Sequence, residues 1–146
     1  MKRAAYFPQM VGTERIAFAV YQISTIAILI YTFFLKVQIH RPLLFYTGVV
    51  LYVIGLLLLI ISIVNFSVPS SNGINQNGLY RLSRNPIYMA YFICFTGSAT
   101  LSIILLGFIV LFQISAHWVI LSEERWCVEQ FGSEYLQYMK RVKRYI

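Results

Sequence analysis

An all-α integral membrane helical bundle is the fold this sequence predicts, and three observations predict it. Hydrophobic residues make up 59% of the 146-residue chain and charged residues only 12%, against roughly 25% charged in an ordinary soluble domain. The charges are also segregated, with none from Pro42 to Tyr80 and none from Asn85 to Ser122. Finally, several apolar runs approach the length of about 20 residues that one bilayer crossing demands. A chain of this size is expected to form a single domain, residues 1–146.

The first span is Ile16 to Leu35, with Gln22, Ser24, Thr25 and Thr32 as its polar exceptions. Leu43 to Phe66 is a stronger second span, because Val49 to Val64 holds only Tyr52 and Ser62 as polar-tipped residues. The run from Pro86 to Leu121 accommodates two short spans joined by a tight turn near Ser98 to Ser102, each close to the lower length limit, with a partly re-entrant hairpin as the alternative. About four transmembrane helices result. The linker from Ser67 to Asn77 is turn chemistry, with Pro69 and the pairs Asn72-Gly73 and Asn77-Gly78. Asn85-Pro86 reads as a helix start, Asn85 capping and Pro86 first in the helix, where its missing N–H costs nothing. The free N–H groups of that start, beside Arg84, suit an anionic group.

Past the fourth span the helix is expected to run on to Phe131-Gly132, its terminator, after which Ser133 caps a short helix with Glu134 in the first turn. There Tyr135, Tyr138, Met139 and Val142 recur at helical spacing. That stripe predicts an amphipathic helix lying on the membrane surface rather than crossing it.

Basic residues orient the bundle. With four spans, one side of the membrane receives Lys2, Arg3, Arg15, Arg81, Arg84, Arg125, Lys140, Arg141, Lys143 and Arg144, ten of the twelve, and only Lys36 and Arg41 lie opposite. The positive-inside rule makes the rich side, with both termini, cytoplasmic. The net charge of +7 then reads as attraction to anionic lipid headgroups, not to nucleic acid. No small-residue cleavage site follows the N-terminus, so the first helix is expected to be retained. Cys94 and Cys127 sit at different depths and read as structural thiols. No metal centre is expected: the chain has no Asp, and His40 and His117 fall toward opposite membrane faces.

Two polar clusters exceed what connectors need. Ile74 to Tyr88 (INQNGLYRLSRNPIY) packs two arginines, three asparagines and two tyrosines into one loop and helix start, and Glu123-Glu124-Arg125 interrupts the last apolar run. Gly78-x-Tyr80-x-x-x-Arg84-Asn85-Pro86-x-Tyr88, followed by Gly97 and Leu101, resembles the G-x-Y-x-x-x-R-H-P-x-Y signature of integral membrane methyltransferases. Glu123-Glu124, Phe131-Gly132-x-x-Tyr135-x-x-Tyr138 and Arg141-Val142 are similar to their ending. The family is that of isoprenylcysteine carboxyl methyltransferases, related in motif to phospholipid methyltransferases, and the likeness covers about the C-terminal half.

That resemblance implies S-adenosyl-L-methionine as methyl donor, held on the cytoplasmic side, and a lipid-like acceptor arriving laterally from the bilayer. By the family pattern Ile74 and Asn75 contribute loop contacts, Tyr80 lines the donor pocket, and Asn85, Pro86, Ile87 and Tyr88 wrap it. Glu123, with Glu124 beside it, closes the pocket from the last long helix; Glu123 and Arg84 are the candidates for chemistry, Arg84 by gripping a carboxylate in a bidentate manner. Two departures stand out. Asn85 replaces the family's His, so no imidazole can titrate there. Ala116 to Leu121 also lacks the arginine that prenylcysteine enzymes tend to place before the acidic pair. Carboxyl methylation of an isoprenylcysteine-type substrate is the nearest family activity. Amine methylation of a phospholipid, an NADPH-dependent sterol-type membrane reductase and a non-enzymatic four-helix scaffold are the alternatives.

Overall fold

The computed structural model describes residues 10–36, 39, 41–68 and 73–145. Lys2, Arg3, His40, Pro69 and Asn72, invoked above, lie outside them. Five α-helices and one 3-10 turn follow in order: α1 (Thr13–Phe34), α2 (Pro42–Ser67), the 3-10 turn (Gly78–Arg81), α3 (Pro86–Ala99), α4 (Ile103–Phe131) and α5 (Ser133–Arg141). No strand forms among the described residues, and the all-helical membrane bundle stands.

Three helices, α1, α2 and α4, are long and apolar enough to cross a membrane. Their outward faces are greasy: Phe33 and Leu43 are each 83% exposed, which only an apolar surrounding makes cheap. The third expected span is shorter than the sequence suggested. Helix α3 has 14 residues, about 21 Å at 1.5 Å per residue, against a hydrocarbon core of about 30 Å. Pro86 fixes its start and the turn at Thr100–Ser102 its end. Ser102 then caps α4, its side chain accepting from the Ile104 N–H at 3.3 Å. Helix α4 runs 29 residues, about 44 Å, so its last turns outreach a bilayer core.

Helix α2 packs along α3, and α1 along α4. Small residues set the first contact. A Cβ placed on Gly97 would stand 2.6 Å from the Gly48 carbonyl oxygen, and one on Gly55 would collide with the Cys94 backbone. Such close backbone approach is how helices associate where no hydrophobic drive separates protein from lipid. Gly97→Val should therefore cost about 1–3 kcal/mol, read as a lower Tm in detergent. Gly107→Ala, where nothing lies within 4 Å, should leave Tm unchanged or slightly raised. Between α1, α3 and α4 lies a dry cluster of Ile28, Phe95, Leu105, Ile109, Phe112 and Ala116, with Phe95 and Phe112 edge to face at 5.0 Å.

Two local expectations change. Gly132, at φ 54°, both ends α4 and precedes α5, so Ser133 is the first residue of α5 rather than its cap. The tyrosine stripe of α5 faces the protein itself rather than an open surface. Tyr135 and Tyr138 are buried with Ile74 and Cys127, and Met139 and Val142 pack against that cluster. An apolar helical face needs a dry partner, and here the partner is the chain's own loop and α4.

Candidate functional site

The loop from residue 73 to Asn85 is held in shape by side chains from distant elements. Gly78 takes φ 53° while Asn65 of α2 presses against it, a conformation and a space closed to a residue with a Cβ. The turn that follows presents Tyr80, whose carbonyl accepts from the Tyr138 hydroxyl at 2.7 Å. Burial pushes the Tyr80 and Tyr138 phenols above the usual tyrosine range, so both stay neutral and Tyr138 keeps its donor proton. The chain end clamps the other side of the loop. The Arg84 N–H donates to the Lys143 carbonyl at 2.9 Å and the Ser83 hydroxyl to the Arg144 carbonyl at 3.0 Å, making a short parallel bridge between Ser83 and Lys143.

Adjacent glutamates on a helix diverge by about 100°, and the two here have different surroundings. Glu124, only 4% exposed, receives Arg84 Nη2 at 3.0 Å and Arg144 Nη2 at 2.7 Å. It also accepts from Arg144 Nε at 3.1 Å and Asn85 Nδ2 at 3.3 Å. Asn85 thus occupies the cap position of α3 without a side-chain cap bond; its amide serves Glu124 instead. Arg125 turns away to pair with Glu14 of α1. Glu123 accepts one hydrogen bond, from the Tyr88 hydroxyl at 2.8 Å, and has no ion-pair partner among the described residues.

Between these groups lies a cavity of about 300 Å³, within the range that holds a drug-sized ligand, roughly 300–1,000 Å³. Of the residues singled out from sequence, Ile74, Asn75, Tyr80, Arg84, Asn85, Ile87, Tyr88, Glu123 and Glu124 all line it. Pro86 does not; it is buried at the start of α3. Sequence reasoning missed Tyr21, Phe66, Trp126, Cys127, Tyr135 and Tyr138. For Tyr135 and Tyr138 the helical spacing was a usable signal, read toward the wrong partner. Tyr21 and Phe66 carry none, since each is one more aromatic in an apolar span. Cys94 and Cys127 are free thiols, both buried, and the His117 Nδ1 meets the Tyr145 hydroxyl at 2.8 Å. Among the described residues no cluster of potential metal ligands occurs.

The helical bundle with this cavity at one end can be compared with known proteins. The family model for phospholipid methyltransferase matches residues 43–134, more than half of the chain. This chain belongs to the phospholipid methyltransferase family. No curated protein and no solved structure matches it. The family is one of integral membrane methyltransferases and includes the isoprenylcysteine carboxyl methyltransferases whose motifs the sequence resembles, so membrane methyl transfer is the general activity. The matched segment brings α2, the loop, α3 and α4, but it stops before Tyr135, Tyr138 and the clamp at residues 142–144. It also leaves out Tyr21 of α1, which stands 5.9 Å from the Tyr88 ring.

Asn75 and Arg84, which line this cavity, each carry a buried polar atom, Asn75 Oδ1 and Arg84 Nε, that has no hydrogen-bond partner among the described residues. An unmet buried polar group costs about 1–3 kcal/mol, and native proteins leave few without a purpose. One is an acceptor and the other a cationic donor. The Arg84 guanidinium and the tyrosine faces of the cavity are chemistry that can hold an anionic, ring-bearing ligand.

Proposed function

We propose that this protein transfers a methyl group from S-adenosylmethionine to an amine carried by a membrane lipid. One observation supports the reading: Glu123, a carboxylate with no ion-pair partner among the described residues, lines the same cavity as Arg84, Asn75 and the tyrosines Tyr21, Tyr80 and Tyr88. Arg84 and Asn75 would hold the donor, with Ile74, Tyr80, Asn85 and Ile87 around it and Glu124 bracing Arg84 and Asn85. The donor supplies an electrophilic methyl on a sulfonium and leaves as the neutral thioether. Tyrosine faces favour that positive charge through cation–π attraction.

Glu123 has the acceptor's part. An ammonium headgroup must lose a proton before its lone pair can attack, and a carboxylate aligned by the Tyr88 hydroxyl can take it. Removing water and aligning the two reactants then does most of the remaining work. A carboxylate acceptor, as in prenylcysteine methylation, would be repelled by Glu123, which has no ion pair with an arginine among the described residues. Tyr21, on the helix outside the family match, lines the cavity beside Tyr88, with ring centroids 5.9 Å apart. The lipid tails would lie along the apolar helices, and by the positive-inside rule the basic loop and tail would face the cytoplasmic leaflet.

Purified protein in detergent, titrated with S-adenosylhomocysteine and separately with NADPH, tests the reading. A ligand at a hundredfold its Kd stabilises the native state by about 2.7 kcal/mol, so the first ligand should raise Tm and the second should not. Stabilisation by NADPH alone would turn the assignment to a membrane reductase, and no response to either would leave a scaffold. Methyl transfer to an aminolipid, with none to a prenylated cysteine carboxylate, would fix the acceptor class; the reverse pattern would restore the carboxyl-methylating activity.

A further inference from the structure

Arg144 lies ten residues beyond the family-matched segment and does not line the cavity. It nevertheless makes the shortest contact to the buried Glu124, 2.7 Å from Nη2 to Oε2, with Nε at 3.1 Å to the same oxygen. The other carboxylate oxygen takes Arg84 at 3.0 Å. Counting formal charges, Arg84 and Glu124 alone would cancel. Arg144 adds one more positive charge, so the triad is left with a surplus of one. Water reaches the inner part of the triad poorly, the side chains of Arg84 and Glu124 being 8% and 5% exposed, while Arg144 on its outer side is 28% exposed. Arg84 lines the cavity.

We infer that Arg144 is a positioning residue for donor binding, occupying Glu124 so that Arg84 keeps net charge for the carboxylate of the amino-acid moiety. This rests on the donor reading above. The physical reason is competition. A guanidinium already neutralised by a buried carboxylate attracts a second anion weakly, because the added anion also meets the first one at short range in a low dielectric. A second guanidinium on the far oxygen of Glu124 removes that penalty without entering the cavity. The backbone of the tail supports the geometry, since the Lys143 and Arg144 carbonyls are bonded to the N–H of Arg84 and the hydroxyl of Ser83. The chain end and the loop therefore move as one piece, which holds Arg144 on Glu124 rather than in solvent.

A purely structural role for Arg144 predicts that every cavity ligand weakens together when it is lost. The charge role predicts selectivity between ligands. S-adenosylhomocysteine carries the carboxylate, whereas 5′-methylthioadenosine has the same nucleoside and thioether without it. Calorimetric titration of the full chain in detergent, wild type against Arg144→Gln, should show about a tenfold weaker Kd for S-adenosylhomocysteine and an unchanged Kd for 5′-methylthioadenosine. Arg144→Lys, which keeps the charge and loses the paired bonds, should hold the wild-type ratio of the two constants. Arg144→Met, which also removes the charge, should show the same selective loss and decides the matter if Arg144→Gln does not fold. Equal weakening of both ligands in Arg144→Gln, no weakening of either, or a tenfold selective loss in Arg144→Lys would overturn the inference. If the wild type binds neither ligand, the donor reading fails first and the inference with it. A wild type that binds both, with variants that keep the ratio wrong, refutes the inference alone.

Discussion

Glu123→Gln should lower kcat for methyl transfer by about 10²–10⁴-fold, the usual worth of a positioned general base, while S-adenosylhomocysteine still raises Tm as it does in the wild type. The amide keeps the size of the side chain and an oxygen that can accept from the Tyr88 hydroxyl, now 2.8 Å from the carboxylate. It cannot take a proton. Tyr88→Phe, which leaves the carboxylate in place and removes only its aligning bond, should cost less, about tenfold. Steady-state kinetics with an aminolipid acceptor and thermal melts with the donor product separate the two ligand roles. Unchanged kcat in Glu123→Gln would remove the base from the mechanism. Loss of the thermal shift with kcat preserved at saturating donor would instead assign Glu123 to holding the donor, the role the family resemblance implies.

The neighbouring residue should behave in the opposite way. Glu124→Ala is expected to destabilise the fold by about 3–5 kcal/mol, the range for removing one partner of a buried ion pair. The reason is what it leaves behind. Arg84, with its side chain 8% exposed, would keep its charge with no counter-ion, Arg144 would lose both of its bonds, and the Asn85 amide one. Arg125→Ala, which breaks the pair with Glu14 at a side chain 48% exposed, should cost roughly 1 kcal/mol or less. Urea or thermal melts of the three proteins in one detergent give the comparison. A small loss in Glu124→Ala would mean that water reaches the triad and that its charges are screened.

Both predictions concern residues that are next to each other in sequence and read alike there. Two glutamates at a helix exit offer the same chemistry to a reader of letters. Their separation into a braced carboxylate and an available one comes from the turn of α4, which aims one side chain at the loop and tail and the other at Tyr88. Asn85 makes the same point. Its place before Pro86 predicts a cap, and it holds the cap position without a side-chain cap bond, because its Nδ2 donates to a buried carboxylate 3.3 Å away and that contact sets how the side chain is turned.

The α5 stripe was visible and its partner was not. Tyr135, Tyr138, Met139 and Val142 mark an apolar face, and periodicity states that such a face must be covered without stating by what. Membrane, loop and neighbouring helix are all dry enough. Tyr21 and Phe66 were beyond reach for a simpler reason, because membership of a cavity wall leaves no trace in a span where aromatics are common.

Alone, the amino-acid order determined that the chain is a helical membrane bundle, where its turns fall, and which loop carries more polar chemistry than a connector requires. Those properties depend on composition and on spacings of a few residues, and apolar length against bilayer thickness is a local quantity. Only the tertiary structure decided where α3 stops, that residues 143 and 144 fold back onto residues 83–85, and that Glu124 meets two guanidinium groups while Glu123 meets the Tyr88 hydroxyl. Each of these depends on contacts between groups tens of residues apart, where burial and charge compensation are set by geometry rather than by neighbouring letters.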